Sequence, residues 1–410
     1  MYNFAIAVYA FVVWLASPFN RKAKKMLAGQ KETFAILKEK IDPKVEYIWF
    51  HAASSGEFEQ GRPLMEKIKK ERPNYKILLT FFSSSGYEMR KNYQGADIVC
   101  YLPFDFPRNV TRFLDLVKPP KVIFIKYEFW MNYLNQLKKR NVPTYIISAV
   151  FRPNQIFFRW YGSGYRDVLK NFTWFFLQDY NSERLLRKFD IRGNTTVSGD
   201  TRFDRVCEIS QQYKEFPLID KFLNKTENNK DLALVAGSTW EKDEDVLIPY
   251  LNRHPEIKLI IAPHEINENR IKELISKLNR QVVLYSQANE TKISTADCLI
   301  IDCFGLLSSI YRYGDIAYVG GGFGAGIHNT LEAAVYGIPV LFGPNYSKFK
   351  EADGLIYSGG AISVANEAKF SNRMNELLEF SYYREEAGNK AGKYVRENLG
   401  ATEKIFNEIF

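Results

Sequence analysis

Past residue 45 the chain alternates short, continuous apolar runs with polar stretches of helical period. In its first half the runs are Tyr47–His51, Lys76–Phe82, Ile98–Leu102, Val122–Lys126, Thr144–Ala149, Trp174–Leu177 and Thr195–Val197. Helix-like patterns such as Pro63–Glu71, Asn109–Leu116 and Asn181–Lys188 lie between them. The pattern breaks at the polar stretch Asn224–Lys230 and then restarts. The second set of runs is Leu232–Ala236, Lys258–Ala262, Val282–Tyr285, Cys298–Ile301, Ile316–Val319, Pro339–Phe342 and Ala361–Val364. Continuous apolar strands alternating with amphipathic helices predict parallel sheets covered on both faces. The expectation is an α/β chain of two Rossmann-like, doubly wound domains, residues 31–207 and 231–410, joined by a linker at 208–230. Their ligand cleft is expected between the carboxyl ends of the two sets of strands.

The first 30 residues read differently. Met1 to Asn20 carries no charged side chain, whereas Arg21, Lys22, Lys24 and Lys25 come directly after it. The uncharged stretch is close to the length that spans a bilayer. Basic residues after rather than before an apolar run argue against a secretory signal and place the rest of the chain on the cytoplasmic side. Residues 1–30 are therefore expected to be a membrane anchor with a basic flank, Tyr9 and Trp14 sitting at headgroup level. A buried core helix and a helix lying flat in the interface are the alternatives. Deletion of residues 1–20 is expected to release the protein from membranes.

Composition narrows the classes. At 410 residues, 46% hydrophobic and 25% charged, the chain suits two globular domains. Four cysteines and four scattered histidines make neither a disulfide framework nor a metal cage, so metal-free chemistry is expected. The net charge of +9 suits an anionic surface or an acidic substrate. A nucleic-acid binder would interleave its basic and aromatic residues, which this chain does not do.

Chemistry concentrates at four strand ends. In Trp49-Phe-His-Ala-Ala-Ser-Ser-Gly-Glu57, Glu57 falls at a helix start, where the dipole favours its ionised form. It is a candidate general base, and equally the partner of Ser54 in a capping box. Lys126-Tyr-Glu-Phe-Trp130 sets Glu128 among aromatic residues directly after a strand. In Val197-Ser-Gly-Asp-Thr-Arg-Phe-Asp204, Arg202 offers a planar fork to an anion or pairs with Asp200 or Asp204. The glycine-rich run Val319-Gly-Gly-Gly-Phe-Gly-Ala-Gly-Ile-His-Asn-Thr-Leu-Glu-Ala-Ala334 ends a strand and leads into a helix expected near Asn329. Its backbone amides and helix start suit a phosphate, His328 and Asn329 add donors, and Glu332 can accept from ribose hydroxyls. It is neither the dinucleotide fingerprint nor a P-loop. Gly237–Thr239, Pro263–Glu265 and Phe304–Leu306 are smaller candidates, each equally a plain turn.

In this order, the motifs resemble the 3-deoxy-D-manno-octulosonic acid (Kdo) transferase family of lipopolysaccharide synthesis. The resemblance implies a GT-B fold, CMP-Kdo as donor and a lipid A precursor as acceptor at the inner membrane, with no cofactor and no metal. It implies Glu57 as the base, with Glu128 and Arg202 stabilising the transition state. For CMP it implies Pro263, His264, Phe304, Gly305, Leu306, Asn329, Thr330, Leu331 and Glu332. The chain departs from the family's usual arginine at His264, glutamate at Leu306 and lysine at Arg202. Another GT-B nucleotide-sugar enzyme, a UDP-linked transferase or epimerase, is the rival reading.

Overall fold

The computed structural model describes residues 1–191, 193–212, 214–224 and 232–410. The chain forms two compact units, Met1–Arg205 with Leu399–Phe410, and Val206–Asn398. Of the expected linker, residues 225–230 and Tyr213 lie outside the described residues.

The first unit holds β1 (Tyr47–Ala52), β2 (Lys76–Phe81), β3 (Ile98–Tyr101), β4 (Val122–Ile125), β5 (Thr144–Ala149), β6 (Trp174–Leu177) and β7 (Thr195–Val197). They form a seven-stranded parallel sheet in the order β3-β2-β1-β4-β5-β6-β7. Successive side chains on a strand point to opposite faces, and both faces here are covered. Trp49, Leu78, Cys100 and Phe124 enter one core, while Ile48, Phe50, Leu79 and Ile123 enter the other. Double coverage is the reason these strands appear in the sequence as unbroken apolar runs.

The second unit holds β8 (Ala233–Thr239), β9 (Lys258–Pro263), β10 (Val282–Leu284), β11 (Cys298–Ile300), β12 (Ile316–Val319), β13 (Val340–Phe342) and β14 (Ala361–Ser363). Its sheet is also parallel and seven-stranded, in the order β10-β11-β9-β8-β12-β13-β14. All fourteen expected strands are present, most within a residue or two of their expected ends.

Two expectations are corrected. The second domain is expected from the sequence to run to residue 410, but the helix Ala401–Ile409 belongs to the first unit. Ile405, Phe406 and Ile409 pack in the core that also contains Ile48 and Phe50. Asp204 fixes the helix start by accepting from the Gly400 and Thr402 amides and the Thr402 hydroxyl at 2.6–2.7 Å. The apolar stripe of that helix is visible in the sequence, but it does not say which sheet the stripe covers.

The second correction concerns the uncharged N-terminus. It forms α1 (Tyr2–Ala16), which breaks before α2 (Arg21–Lys40) at a bend of 119°. Asn20 causes the restart, its side chain accepting from the Lys22 and Ala23 amides. At 15 residues α1 is about 22 Å long, short of a hydrocarbon core of about 30 Å. No single helix among the described residues is long and apolar enough to cross a membrane. Nor is α1 a core helix: Val13 is its one buried residue, and Phe4, Phe11, Trp14 and Leu15 are each at least half exposed. Tyr9 rests partly on Phe82, with ring centres 5.8 Å apart.

Candidate functional site

In an open parallel sheet, ligands bind beyond the carboxyl ends of the strands where the winding direction reverses. In the first unit the chain goes from β1 to β2 and β3 on one side, then to β4 on the other, so the reversal lies between β1 and β4. Glu57 follows β1 and Glu128 follows β4. In the second unit the same reasoning gives the gap between β8 and β12. Trp240 follows β8, and the glycine-rich run follows β12.

Beyond β1, Ser54 caps α3 (Ser55–Glu71), and Glu57 completes a capping box. The Glu57 Oε2 accepts from the Ala53 amide at 2.7 Å and the Ser54 amide at 3.2 Å. The helix start does not, however, hold the carboxyl in its ionised form as expected. Burial, and then the charge of Glu128, push its pKa up to about 7, against the opposing pull of the Ala53 amide and Lys126. A half-ionised carboxyl near neutral pH is a better general base than a fully ionised one of ordinary pKa.

Glu128 is 6% exposed and its Oε2 is held at 2.9 Å from His51 Nε2. The Trp130 indole donates to the same oxygen at 2.6 Å. On its other side the fully buried His51 ring meets Thr80, Nδ1 lying 3.1 Å from the carbonyl and 2.9 Å from Oγ1. The Trp130 indole reaches both members of this pair, its Nε1 lying 3.1 Å from His51 Nε2. The sequence motif contained His51 but showed no role for it; its partner Thr80 comes from β2. Lys126 adopts φ +70° at the β4 end, a costly backbone for a lysine that sets its charge close enough to act on Glu57.

Arg202 pairs with Asp200, its Nε lying 2.9 Å from Oδ2 and a terminal nitrogen 2.6 Å away. Asp204, the other possible partner, instead serves the Gly400 turn. The Tyr127 phenol lies within the fields of Arg152, Glu57, Asp179 and Arg202, with burial the larger influence in raising it. The first unit thus gathers all three of its expected residues, together with His51, Lys126, Tyr127 and Trp130.

In the second unit the candidates form two neighbouring groups. Trp240, His264 and His328 make a ring stack. The centroid of His264 is 4.6 Å from that of Trp240 and 4.3 Å from that of His328, with ring planes within 26°. The Trp240 Nε1 donates to His328 Nε2 at 3.1 Å. Pro263 ends β9, and the His264 amide donates to the Thr239 carbonyl, bringing this turn against Trp240. Buried Asp243 organises the loop, accepting from the amides of Trp240 and Gly321 and the Tyr318 hydroxyl at 2.8–2.9 Å. A cavity of about 430 Å³ opens here, lined by Trp240, Lys242, Gly321, Gly324, Gly326 and His328 among others. A groove of about 620 Å³ between α2 and the helix Pro107–Val117 contains none of the candidate residues.

The second group joins Phe304–Leu306 to Asn329–Glu332. Ser308 donates to Glu332 Oε2 at 2.6 Å, and the Asn329 amide group donates to Oε1 at 3.1 Å. Phe304 is exposed, and Gly305 turns with φ +86°. Three expectations change. The helix is a single turn, Leu331–Ala334, so its dipole adds little to phosphate binding. Thr330 and Leu331 are fully buried, so neither offers an exposed surface to a ligand. Both Glu332 oxygens already accept from the protein.

The glycines also divide. A Cβ on Gly320 would lie 2.2 Å from the Ser238 carbonyl oxygen, and one on Gly322 would lie 2.6 Å from Gly343 Cα. These two are needed for backbone packing; Gly321, Gly324 and Gly326 line the cavity, and Gly321 is itself constrained, at φ +93° with a Cβ that would lie 2.4 Å from the Gly326 carbonyl oxygen.

Residues 28–205 match the family model for 3-deoxy-D-manno-octulosonic-acid transferase (kdotransferase). The chain is 28% identical over 379 residues to 3-deoxy-D-manno-octulosonic acid transferase of Rickettsia prowazekii, covering 88% of this chain and 78% of that one. It is 29% identical over 339 residues to the Aquifex aeolicus transferase of the same name, covering 81% and 86%. The Haemophilus influenzae transferase is 26% identical over 377 residues, covering 89% and 87%. Among solved structures, UDP-GlcNAc 2-epimerase from Neisseria meningitidis shares the fold with a TM-score of 0.63 at 16% identity, covering 88% and 99%. MurG from Acinetobacter baumannii gives a TM-score of 0.56 at 12% identity, covering 89% and 99%. The two α/β units are thus of the GT-B kind.

Proposed function

We propose that the chain is a glycosyltransferase of the 3-deoxy-D-manno-octulosonic acid transferase family and moves Kdo from CMP-Kdo to a hydroxyl of a lipid A precursor, a reading supported by the family model and the curated relatives. The reading rests above all on Glu57, a carboxyl tuned to about 7 at the reversal point of the first sheet. Ionised Glu57 takes the proton of the acceptor hydroxyl as that oxygen attacks the anomeric carbon of Kdo. The new C–O bond forms as the bond to the CMP phosphate breaks, and CMP leaves with the electron pair. His51 orients Glu128, and Arg202, held by Asp200, supplies positive charge where charge develops. The cavity of the glycine-rich loop holds CMP, aided by His264 and Asn329. No residue is assigned to a metal in this sequence of steps.

The same proposal puts the chain at the cytoplasmic face of the inner membrane, with α1 lying in the interface. Exposed Phe11 and Trp14 stack on each other at 5.8 Å on a helix whose apolar side chains are largely uncovered. Arg21, Lys22 and Lys24, all exposed, come next at the bend. Deleting residues 1–20 would also remove the Tyr2 hydroxyl from buried Asp105, a 2.6 Å bond. Phe11→Glu with Trp14→Glu is therefore the cleaner test, and the double variant should leave anionic vesicles while turning over a detergent-dispersed acceptor.

Purified full-length protein incubated with CMP-Kdo and a tetraacylated lipid A precursor should give a product heavier by one or more Kdo units. Binding should be competed by CMP and not by UDP. Competition by UDP alone would move the chain to the UDP-sugar enzymes whose fold it shares.

A further inference from the structure

The stack of Trp240, His264 and His328 brings together rings from three chain segments; Trp240 and His328 line the cavity and His264 stacks on both, an arrangement that Asp243 holds in place. An indole N–H only donates, so the 3.1 Å contact makes His328 Nε2 an acceptor and puts that ring's proton on Nδ1. Adding a second proton to His328 would break the bond to Trp240. His264 bears no such constraint: its ring stacks on the other two, and Glu265 is the charge that acts on it.

Both imidazoles are held below their usual range, His264 by burial against the opposing pull of Glu265, and His328 to about 4 by burial and by His264. The run Gly320–Glu332 contains no lysine or arginine. The charged groups facing this wall are Glu265 beside His264, and Glu241, Lys242 and Asp243 at the start of the helix Glu241–Arg253. Of these, Asp243 is engaged by Trp240, Gly321 and Tyr318. At neutral pH, then, neither ring at this wall is a cation until a ligand makes it one. An anion seated against an imidazole favours the protonated ring.

We propose that this stack is a proton-coupled phosphate site: the nucleotide phosphate binds together with one proton from solvent, which lodges on His264 while His328 stays a neutral N–H donor. The proposal rests on reading the glycine-rich loop as the nucleotide site. A cation that forms only on binding makes affinity fall with rising pH, by close to tenfold per pH unit while the complex holds the proton and the free ring does not, and the fall levels off once the complex itself loses the proton.

The chain has four histidines, so their ring signals are separable by nitrogen-15 NMR. Full-length protein would be titrated with CMP, UMP, inorganic phosphate and cytidine at about pH 7.5, where a phosphate monoester is already a dianion. With CMP, the His264 ring should become imidazolium, and calorimetry in two buffers should report uptake of close to one proton. Cytidine should cause neither. His264→Gln should abolish the uptake, His264→Arg should bind CMP without pH dependence, and His328→Gln should weaken binding but keep the uptake. CMP binding with His264 still neutral overturns the proposal. An inorganic phosphate or UMP response without one to CMP keeps the proton-coupled site and removes the CMP-Kdo reading. No binding of any phosphate probe overturns both.

Discussion

The two sheets reverse their winding in the same way, yet they furnish the reversal with opposite chemistry. Beyond β1 and β4 stand charged groups close together: Glu57, Glu128 bound to His51, Lys126, and Arg202 held by Asp200. Beyond β8 and β12 stand aromatic rings and bare backbone around a cavity, with a buried carboxylate, Asp243, spent on holding the loop. A fold-level argument locates both places but does not distinguish them. On the proposed mechanism the difference follows from what each region would do. Proton transfer needs a tuned base, so like charges crowd around it; anion binding needs donors of fixed geometry, which backbone and neutral rings supply.

The largest effect should come from removing the base. Glu57→Gln should lower transfer about 10²–10⁴-fold while CMP affinity, measured by calorimetry, is unchanged. The same variant tests the electrostatics. Below its unfolded pKa of 4.5, Glu57 is protonated in both folded and unfolded chains; between that and about 7 only the folded chain keeps its proton. Stability is therefore lost as pH rises through this window, by at most about 3 kcal/mol. Glu57→Gln should accordingly be more stable than the parent in urea at pH 8, and the gain should vanish near pH 4. A variant equally stable at both values would mean the carboxyl is not tuned.

Asp243→Ala comes next and acts on the other sheet. It strands the Trp240 and Gly321 amides and the Tyr318 hydroxyl, which should cost about 3 kcal/mol in urea unfolding and weaken CMP binding. Smaller, but more discriminating, is an opposed pair around Glu57. Glu128 raises its pKa and Lys126 lowers it, so Glu128→Gln should move the acid limb of the pH–rate profile to lower pH and Lys126→Met to higher pH. Shifts of the same sign would break the account of crowded charge. Least of all, Tyr318→Phe should cost about 1 kcal/mol and leave the acid limb in place.

Much of this was legible beforehand, for identifiable reasons. Strands covered on both faces leave continuous apolar runs, so the sheets could be read directly. Glu57, Glu128 and the glycine-rich run were visible because each follows such a run. His51 was not, because its meaning depends on Thr80 and Glu128, residues brought to it by β2 and β4. Trp240 stood after a plain Gly-Ser-Thr turn, and nothing local announces that His264 and His328 will stack with it. Two expectations met the same limit. A helix starting near Asn329 and an uncharged stretch of about bilayer length at Met1–Asn20 were both legible, but propensity and polarity do not show where a helix stops. One ends after a single turn, and the other is interrupted by the cap at Asn20.

The return of the tail to the first sheet bears on how the protein can be taken apart. A fragment ending at Arg205 contains every strand of that sheet and looks self-sufficient, yet it would leave Ile48 and Phe50 without the cover of Ile405 and Phe406. Asp204 would also lose the three donors that occupy it. Such a fragment should come out of cells as aggregate. Splicing residues 399–410 back after a short spacer should make it soluble.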